Sequence, residues 1–380
     1  MRIGIITQPL LNNYGGLLQN YALQQVLIRM GHNPITIDQF LFSPKSLIWK
    51  IYSEIRNSIR NMVVQGDKTI SRRKFEKAFS RVSPNTRCFI DKYINHSVPV
   101  YGYKETRELA ESLDLDAYIV GSDQVWRKAF NSRLLNSFLD FTTGWDVKRI
   151  AYAASLGIDY WEFQSQETEV IKGLIKQFDA VSVRESSAVD LCKQYLEITV
   201  KHVLDPTMLL NKEDYVSIIN GENEPDSNGD LFCYVLDPNT QKENLIDVLE
   251  EQTSMHRFTI LPNERITREK PLNMKAMDLP PVTRWLKAFD DAKYVVTDSF
   301  HGVVFSILFN KPFVAIMNRG RGNARFDSLL TLFGLNNRIV NIEDQLVNIP
   351  FHDIDWNKVN HIRNKMKEYS LDYLKSNLEE

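Results

Sequence analysis

The chain has 380 residues, of which 43% are hydrophobic and 25% charged, and its formal net charge is −2 at pH 7. These values are typical of a soluble globular protein and exclude a disordered or fibrous chain, and the near-neutral charge gives no electrostatic case for nucleic acid as the main partner. Three scattered cysteines, Cys88, Cys192 and Cys233, make neither a metal-ligand cluster nor a disulfide framework. Because no stretch approaches the roughly 20 apolar residues that cross a bilayer, we expect a cytoplasmic α/β protein.

The N-terminal part of the chain alternates strand and helix. The stretch "RIGIITQ" predicts a buried strand, "NNYGGLLQNYALQQVLIRMGH" a glycine-containing turn and a helix, and "PITIDQF" a second strand. This β-α-β order predicts a parallel sheet with a right-handed crossover. Residues 41–110 differ, since they contain two basic amphipathic stretches with no strand between them, and we interpret them as a helical insertion.

The alternation then returns and runs through two units. "DLDAYIVGSDQVW", "KRIAYAASLG" and "FDAVSVRESSAVDLCKQY" each contain a predicted strand, the polar "NGENEPDSNGD" is typical of a linker, and "LFCYVLD" starts a second β-α-β series. We predict an N-terminal domain at 1–210, a C-terminal domain at 211–355 and a terminal helix at 356–380. Two such units predict a ligand cleft between them.

The stretch "VVTDSFHGVVFSILFN" interrupts an apolar run with polar residues. We expect a strand to end at Asp298 and a helix to begin near His301, at the edge of a parallel sheet where ligands usually bind. The first-turn N–H groups of such a helix attract an anion, and Gly302 lets a ligand approach the backbone. The alternative is that Asp298 and Ser299 only cap the helix, with His301 an ordinary first-turn residue.

Several arginines are predicted at the same edge of the sheets. "NRGRGNARFDSLL" follows the next strand and contains Arg319, Arg321 and Arg325, whose guanidinium groups suit a phosphate or a carboxylate. Arg184 in "SVRESSAVDL" lies between a strand and a helix. The alternatives are a solvated basic loop for the first group, and an ion pair with Glu185 or a neighbouring acid for Arg184.

The first unit repeats the pattern in "VGSDQVW". A carboxylate, an amide and an indole together suit a sugar, because the first two bind hydroxyls and the ring stacks on C–H faces. The competing interpretation places Asp123 as a helix cap and Trp126 in the core. "NNYGGLLQ" can also contact a ligand at the first strand's edge, but it is not a dinucleotide fingerprint.

These stretches together resemble the polysaccharide pyruvyl transferase family. The resemblance runs from "NYGGLLQNYALQQVL" through "VGSDQVW", "AYAASLG", "SVRESSAV" and "VLDPTMLL" to "TDSFHGVVFSILFNKPFVAI" and "RGRGNARFDSLL". It implies an α/β fold of two Rossmann-like domains that face each other across a cleft, as in GT-B glycosyltransferases, with the C-terminal helix crossing back. The insertion at 41–110 and the "GSD" turn depart from the pattern of many members.

The resemblance implies transfer of the enolpyruvyl unit of phosphoenolpyruvate to two hydroxyls of a sugar, which forms a pyruvate ketal and releases phosphate, in surface polysaccharide biosynthesis. The donor carries a carboxylate and a phosphate, and the reaction needs an acid and a base. His301 is the expected acid and Asp123 the expected base. The expected donor-binding residues are Arg184, Ser299, His301, Gly302, Arg319, Arg321 and Arg325. The expected acceptor-binding residues are Asn13, Tyr14, Gln19, Ser122, Asp123, Gln124 and Trp126.

Two rival functions share this fold: a GT-B glycosyltransferase that uses a nucleotide sugar, and a non-catalytic binding protein. We expect no metal and no cofactor beyond the donor, since arginines supply the positive charge. The expected partners are phosphoenolpyruvate and a sugar acceptor. The basic stretches in 41–110 are compatible with a lipid-linked acceptor at the inner face of the membrane, although a solvated helical face is the more common explanation of such stretches.

Overall fold

Parallel strands form two separate sheets in a computed structural model, which describes residues 1–39, 83–131, 133–262, 279–317, 324–341 and 353–379. The first sheet has the order β2-β1-β3-β4-β5-β6. Its strands are β1 (Arg2–Ile6), β2 (Asn33–Thr36), β3 (Ala117–Val120), β4 (Lys148–Ala154), β5 (Ala180–Val183) and β6 (Lys201–His202). The strands pair in parallel and most are buried along their length, as the short apolar runs predict.

The second sheet has the order β11-β10-β9-β7-β8 and is also parallel. Its strands are β7 (Leu231–Tyr234), β8 (Arg257–Phe258), β9 (Tyr294–Thr297), β10 (Phe313–Ile316) and β11 (Ile339–Val340). Residues 221–230 between the two sheets contain neither helix nor strand, in keeping with the predicted linker composition. The exact domain limits at 210 and 355 stay predictions.

Helices connect the strands within the described residues. They are α1 (Tyr14–Arg29), α2 (Pro84–Tyr93), α3 (Tyr103–Leu113), α4 (Ser165–Ile175), α5 (Ser186–Leu191), α6 (Lys212–Asn220), α7 (Thr240–Thr253), α8 (Val282–Asp291), α9 (Phe300–Leu308), α10 (Ala324–Phe333) and α11 (Trp356–Glu379). None of them has the length and apolar character needed to span a bilayer.

The predicted helical insertion at 41–110 is described only from residue 83 onward. In that part, α2 buries Phe89 and Ile90 in the core, and isolated bridges join Thr36 to His96 and Gln39 to Val100. Residues 83–100 therefore pack as an integral part of the first unit. The two basic stretches proposed for membrane contact lie mainly at 40–82, outside the described residues.

The C-terminal helix crosses back onto the first sheet, as the family resemblance implies. Ser370 Oγ accepts a hydrogen bond from the backbone N–H of Leu204 at 3.1 Å, and Tyr373 Oη donates to the carbonyl oxygen of Ala151 at 3.0 Å. Leu374 and Leu378 on the same helix belong to the largest hydrophobic core, which contains residues of both units. Burial of this apolar face fixes the two units against each other.

Candidate active site

A cleft of about 440 Å³ opens where the carboxyl edges of the two sheets face each other. We call its two sides the first wall and the second wall. The first wall consists of Asn13, Asp123, Gln124 and Phe130. The second wall consists of Leu236, Asp237, Asp298, Ser299, Phe300, His301, Arg325 and Phe326. This is the position at which open α/β sheets usually bind ligands.

Asp123 is the carboxylate of the first wall. It follows β3 with a φ of 71°, a left-handed conformation that aspartate tolerates better than most residues. Its Oδ1 accepts a hydrogen bond from the N–H of Gln124 at 2.9 Å. Its Oδ2 accepts one from Asn13 Nδ2 at 3.1 Å. Asn13 precedes α1 and makes no side-chain cap bond to that helix, so its amide is used to orient the carboxylate instead.

The charge on Asp123 is stabilised by its neighbours. Burial acts to raise the pKa of the carboxyl, but the positive charges of Arg184, His301 and Arg325 outweigh it and hold the pKa below its ordinary value. The Arg184 guanidinium is nearest, with Nη2 at 3.6 Å from Oδ1. Asp123 is therefore an anion at neutral pH, on the wall opposite His301 and Arg325.

Beneath the cleft, Asp205 links the two units. Its Oδ2 is 2.7 Å from Arg184 Nη1 on the first unit and 3.6 Å from His301 Nε2 on the second. Thr207 donates to Oδ1 through both its N–H and its hydroxyl, and Ser122 Oγ donates to Oδ2 at 3.1 Å. Burial opposes ionisation of this carboxyl, but the nearby His301 and Arg184 and the hydrogen bonds from Thr207 hold its pKa well below the usual range.

His301 lies at the meeting point of two helix N-termini. It is in the first turn of α9, and its ring packs on the first turn of α1, where a Cβ added at Gly15 would lie 2.0 Å from His301 Nδ1. Only glycine leaves room for this approach. Because the first-turn N–H groups of a helix lack acceptors within that helix, the two N-termini give the cleft a positive electrostatic character.

The polar residues before α9 have separate tasks. Ser299 caps the helix, accepting from the N–H of Gly302 at 3.4 Å. Asp298 does not cap it: the carboxylate accepts from the N–H groups of Leu236 and Asp237 and from Lys242 Nζ at 2.7 Å. Asp298 thereby holds the loop after β7, whose residues line the cleft.

Arg325 is the described arginine of the second wall. It lies in α10, is 6% exposed, and its guanidinium is 5.4 Å from the centroid of the Phe300 ring. Burial and the repulsion of Arg184 lower its pKa to about 10, against the favourable charge of Asp123. It remains protonated at neutral pH, as a cation partly removed from solvent, where attraction to an anion is stronger than in water.

Six of the predicted site residues line the cleft: Asn13, Asp123, Gln124, Ser299, His301 and Arg325. Arg319 and Arg321 lie outside the described residues. The remaining predicted residues lie beside the cleft or beneath it: Tyr14, Gln19, Ser122, Trp126, Arg184 and Gly302.

The prediction that Trp126 stacks on the acceptor is wrong. Its side chain is 0% exposed, lies parallel to the Phe138 ring at 5.0 Å between centroids, and donates through Nε1 to the carbonyl oxygen of Ser137. The indole is thus a core residue, the competing interpretation of the sequence. A ring with both its faces and its N–H engaged inside the protein offers nothing to a sugar.

Three further acceptor-side predictions are corrected by burial. Gln19 uses its amide to bond Thr7 Oγ1 and the carbonyl oxygen of Gly16. Tyr14 Oη donates to the carbonyl oxygen of Pro280 at 2.6 Å, a contact between the two units. Ser122 is fully buried and donates to Asp205. These side chains support the cleft from behind and do not line it.

Two residues predicted on the donor side do not line the cleft, and their contact with the donor stays a prediction. Arg184 is buried beneath the cleft and pairs with Asp205, the neighbouring acid that the alternative interpretation required, and not with Glu185. The missing side chain of Gly302 makes room for Thr297, since an added Cβ would lie 2.1 Å from Thr297 Oγ1. Its role is close packing of α9 on β9, not the approach of a ligand.

Sequence reasoning missed Asp205, Asp237 and Phe130. Both aspartates lie in the sequence "VLDP", just after β6 in one case and just after β7 in the other. The rule that polar residues after a strand lie at the ligand edge of the sheet, which identified Asp123 and Asp298, therefore applied to them as well. Phe130 carried no such signal, because a phenylalanine four residues after Trp126 is most simply a core residue.

Within the described residues, no group of three or more His, Cys, Asp or Glu side chains is placed to hold a metal ion.

The model of the family described as polysaccharide pyruvyl transferase matches residues 13–320. The chain is similar in structure to UGT89C1 of Arabidopsis thaliana complexed with UDP-L-rhamnose, with 8% identity, a TM-score of 0.52, and coverage of 99% of this chain and 98% of that chain. It is also similar to the UDP-GlcNAc 2-epimerase of Neisseria meningitidis bound to UDP-GlcNAc, with 7% identity, a TM-score of 0.50, and coverage of 98% and 93%. At these identities the likeness shows the fold, which is GT-B-like. A search of curated proteins finds no significant match.

Proposed function

The chain belongs to the polysaccharide pyruvyl transferase family, and we propose that it transfers the enolpyruvyl unit of phosphoenolpyruvate to two hydroxyls of a sugar, forming a cyclic pyruvate ketal and releasing phosphate. The observation that carries this proposal is the charge arrangement of the cleft. The Arg325 guanidinium and the His301 imidazole on the second wall face an oriented carboxylate, Asp123, on the first wall. The acceptor belongs to a surface polysaccharide, and no cofactor beyond the donor is required.

The second wall suits a small donor with two anionic groups. Arg325 offers a partly desolvated positive charge, and the first turn of α9 lies beside it with the positive end of the helix dipole. Phosphoenolpyruvate has one carboxylate and one phosphate, so each group has a partner. The cleft volume of about 440 Å³ is in the range of small-molecule sites.

Acid and base are assigned to opposite walls. The first sugar hydroxyl forms a C–O bond to C2 of the donor and gives its proton to Asp123, while the C2–C3 π electrons take a proton from His301, so the methylene becomes a methyl group. The C2–O bond to phosphate then breaks, and the second hydroxyl forms the second C–O bond and gives its proton to the departing phosphate. Asp123 then loses its proton and His301 regains one by exchange with solvent. Because the pKa of Asp123 is depressed, it accepts a proton only from a hydroxyl made acidic by bonding to the electron-poor C2.

Asp205 is a positioning residue in this scheme. It lies 3.6 Å from His301 Nε2 and is buried, so its carboxylate helps to orient the ring. In this structure Nε2 faces Asp205 and the Nδ1 edge packs on α1. Delivery of the proton to C3 therefore requires the ring to turn toward the bound donor.

The test is phosphate release from phosphoenolpyruvate, with and without galactose- and mannose-type acceptors, for the wild type and His301→Ala. We expect acceptor-dependent release that falls at least about 100-fold in the variant, with unchanged circular dichroism. His361→Ala, an exposed histidine of α11, is the matched control. A folded His301→Ala that keeps most of its rate would contradict the assignment.

The rival is a glycosyltransferase, because the structural neighbours named above were solved with UDP-sugars. The two functions differ in the ligand that stabilises the protein. Phosphoenolpyruvate should raise the melting temperature if it is the donor, whereas a nucleotide sugar should do so under the rival. Stabilisation by UDP-sugars alone would replace our proposal with the rival.

A further inference from the structure

Phe130 is an exposed aromatic side chain on the first wall. Its exposed fraction is 44%, whereas Phe300 and Phe326 on the second wall are buried. Single exposed apolar residues are common on protein surfaces and need no explanation by themselves. This one differs because it lines a cleft and because its surroundings fix its position.

The turn that carries Phe130 is tied down from both ends. The Phe130 N–H donates to the carbonyl oxygen of Arg127 at 3.1 Å. Asn131 Nδ2 donates to the carbonyl oxygen of Val125 at 2.7 Å and to Ser137 Oγ at 2.8 Å. These bonds hold the backbone on either side of the ring, so the ring is presented at little further cost in conformational entropy.

One face of the ring is already covered. The Arg127 guanidinium lies 4.4 Å from the ring centroid and donates through Nη1 to Gln124 Oε1 at 2.9 Å. The exposed area therefore belongs to the edge and the opposite face. The positive charge of Arg127 is also among those that lower the pKa of Arg325, which places this turn close to the donor side of the cleft.

We propose that Phe130 is the stacking platform for the acceptor sugar, receiving the C–H face of a pyranose on the ring face that Arg127 leaves open. The inference rests on the proposed function, and it assigns to Phe130 the role that the sequence suggested for Trp126. Hydroxyls at the edge of a sugar held there are within the polar part of the same wall, formed by Asp123, Gln124 and Asn13. A flat aromatic ring beside a carboxylate and amides is suited to a sugar and not to an anionic donor.

The test compares Phe130→Leu and Phe130→Tyr with the wild type and with Tyr369→Leu, an exposed aromatic of α11 that does not line the cleft. We measure the acceptor KM in the phosphate-release assay and the rise in melting temperature with phosphoenolpyruvate. Phe130→Leu should raise the acceptor KM about tenfold, while Phe130→Tyr and Tyr369→Leu stay within about twofold. The rise in melting temperature with phosphoenolpyruvate should be the same in all four proteins.

An unchanged acceptor KM in Phe130→Leu overturns the inference and leaves the proposed function standing. If no acceptor supports release but phosphoenolpyruvate stabilises the protein, saturation-transfer NMR with methyl β-galactoside and methyl α-mannoside decides. Transfer to sugar C–H protons that disappears in Phe130→Leu supports the platform, and equal or absent transfer overturns it. Absence of both release and stabilisation overturns the proposed function, and this inference with it.

Discussion

Two strand ends in this protein carry the same residue types and use them in opposite ways. After β3 the chain continues Ser122-Asp123, and after β9 it continues Asp298-Ser299. In the first unit the serine is buried and bonds Asp205, while the aspartate is directed to the cleft. In the second unit the serine caps α9 and lines the cleft, while the aspartate is held by two N–H groups and Lys242.

The comparison shows that the hydrogen-bond and ion-pair partners of a carboxylate determine whether it is available for chemistry. Residue type and position in the chain do not determine it. The Asp298 carboxylate accepts hydrogen bonds from three donors, one of which is the buried Lys242. Asp123 accepts one hydrogen bond from the Asn13 amide and one from the N–H of Gln124, and the Arg184 guanidinium is 3.6 Å away. A carboxylate with capacity left for another hydrogen bond can receive a substrate proton, whereas a saturated one is structural.

The largest effect of a single substitution is expected at Asp123. Asp123→Asn keeps the shape but removes the base, so kcat for acceptor-dependent phosphate release should fall about 100-fold or more. The melting temperature should change little, because the asparagine keeps the bond from the Gln124 N–H, and the Asn13 amide can turn so that its oxygen accepts from the new NH2 group. Steady-state kinetics with a thermal melt checks this, and a variant with wild-type kcat would show that the base is elsewhere.

Asp298→Asn should give the reverse result. It leaves Lys242 buried without its ion-pair partner, which costs about 3–5 kcal/mol in the free energy of unfolding. Urea unfolding measures this loss, and the double variant Asp298→Asn with Lys242→Met should recover a large part of it. A stable Asp298→Asn protein with a 100-fold lower kcat would reverse the roles assigned to the two aspartates.

A third carboxylate, Asp205, should contribute to stability in a way that depends on pH. Its folded-state pKa is depressed below the unfolded value of about 3.9, so its contribution to stability is complete above that value and is lost as pH falls through the folded pKa. The difference in unfolding free energy between the wild type and Asp205→Asn should be constant from pH 7 to about pH 5 and shrink below about pH 4. A difference that does not change down to pH 3 would contradict the depressed pKa.

The smallest effect is expected at the cap of α9. Ser299→Ala removes a long hydrogen bond to Gly302, so we expect a loss of about 0.5–1 kcal/mol in stability. If Ser299 also contacts the donor, the KM for phosphoenolpyruvate rises as well. A stability loss with an unchanged KM would mark Ser299 as a cap alone, which is the simpler interpretation of the sequence.

The sequence predicted the elements better than the directions of their side chains. Strand β9 and helix α9 came out within a few residues because their apolar runs differ in length and flanking residues. The directions of the Arg184 and Trp126 side chains were not predicted, because each depends on a partner elsewhere in the chain. The partner is Asp205 for the arginine and Ser137 for the indole. No local pattern records such a partner.

Three of the predicted residues that line the cleft share one property. His301, Asp123 and Arg325 belong to elements that follow strands at the carboxyl edges of the sheets, so topology alone brings them to the cleft. Phe130 lies in a turn with no regular structure, where topology gives no direction. The exposure of the Phe130 ring is known only from the structure of that turn.

The return of α11 to the first sheet has a mechanical consequence. The chain passes between the two units twice, once between β6 and β7 and once between β11 and α11, and the returning helix is anchored through Ser370 and Tyr373. The helix also packs against α10 of the second unit. Separating the two units would therefore require α11 to leave either α10 or the first sheet, where it holds Leu204 and Ala151.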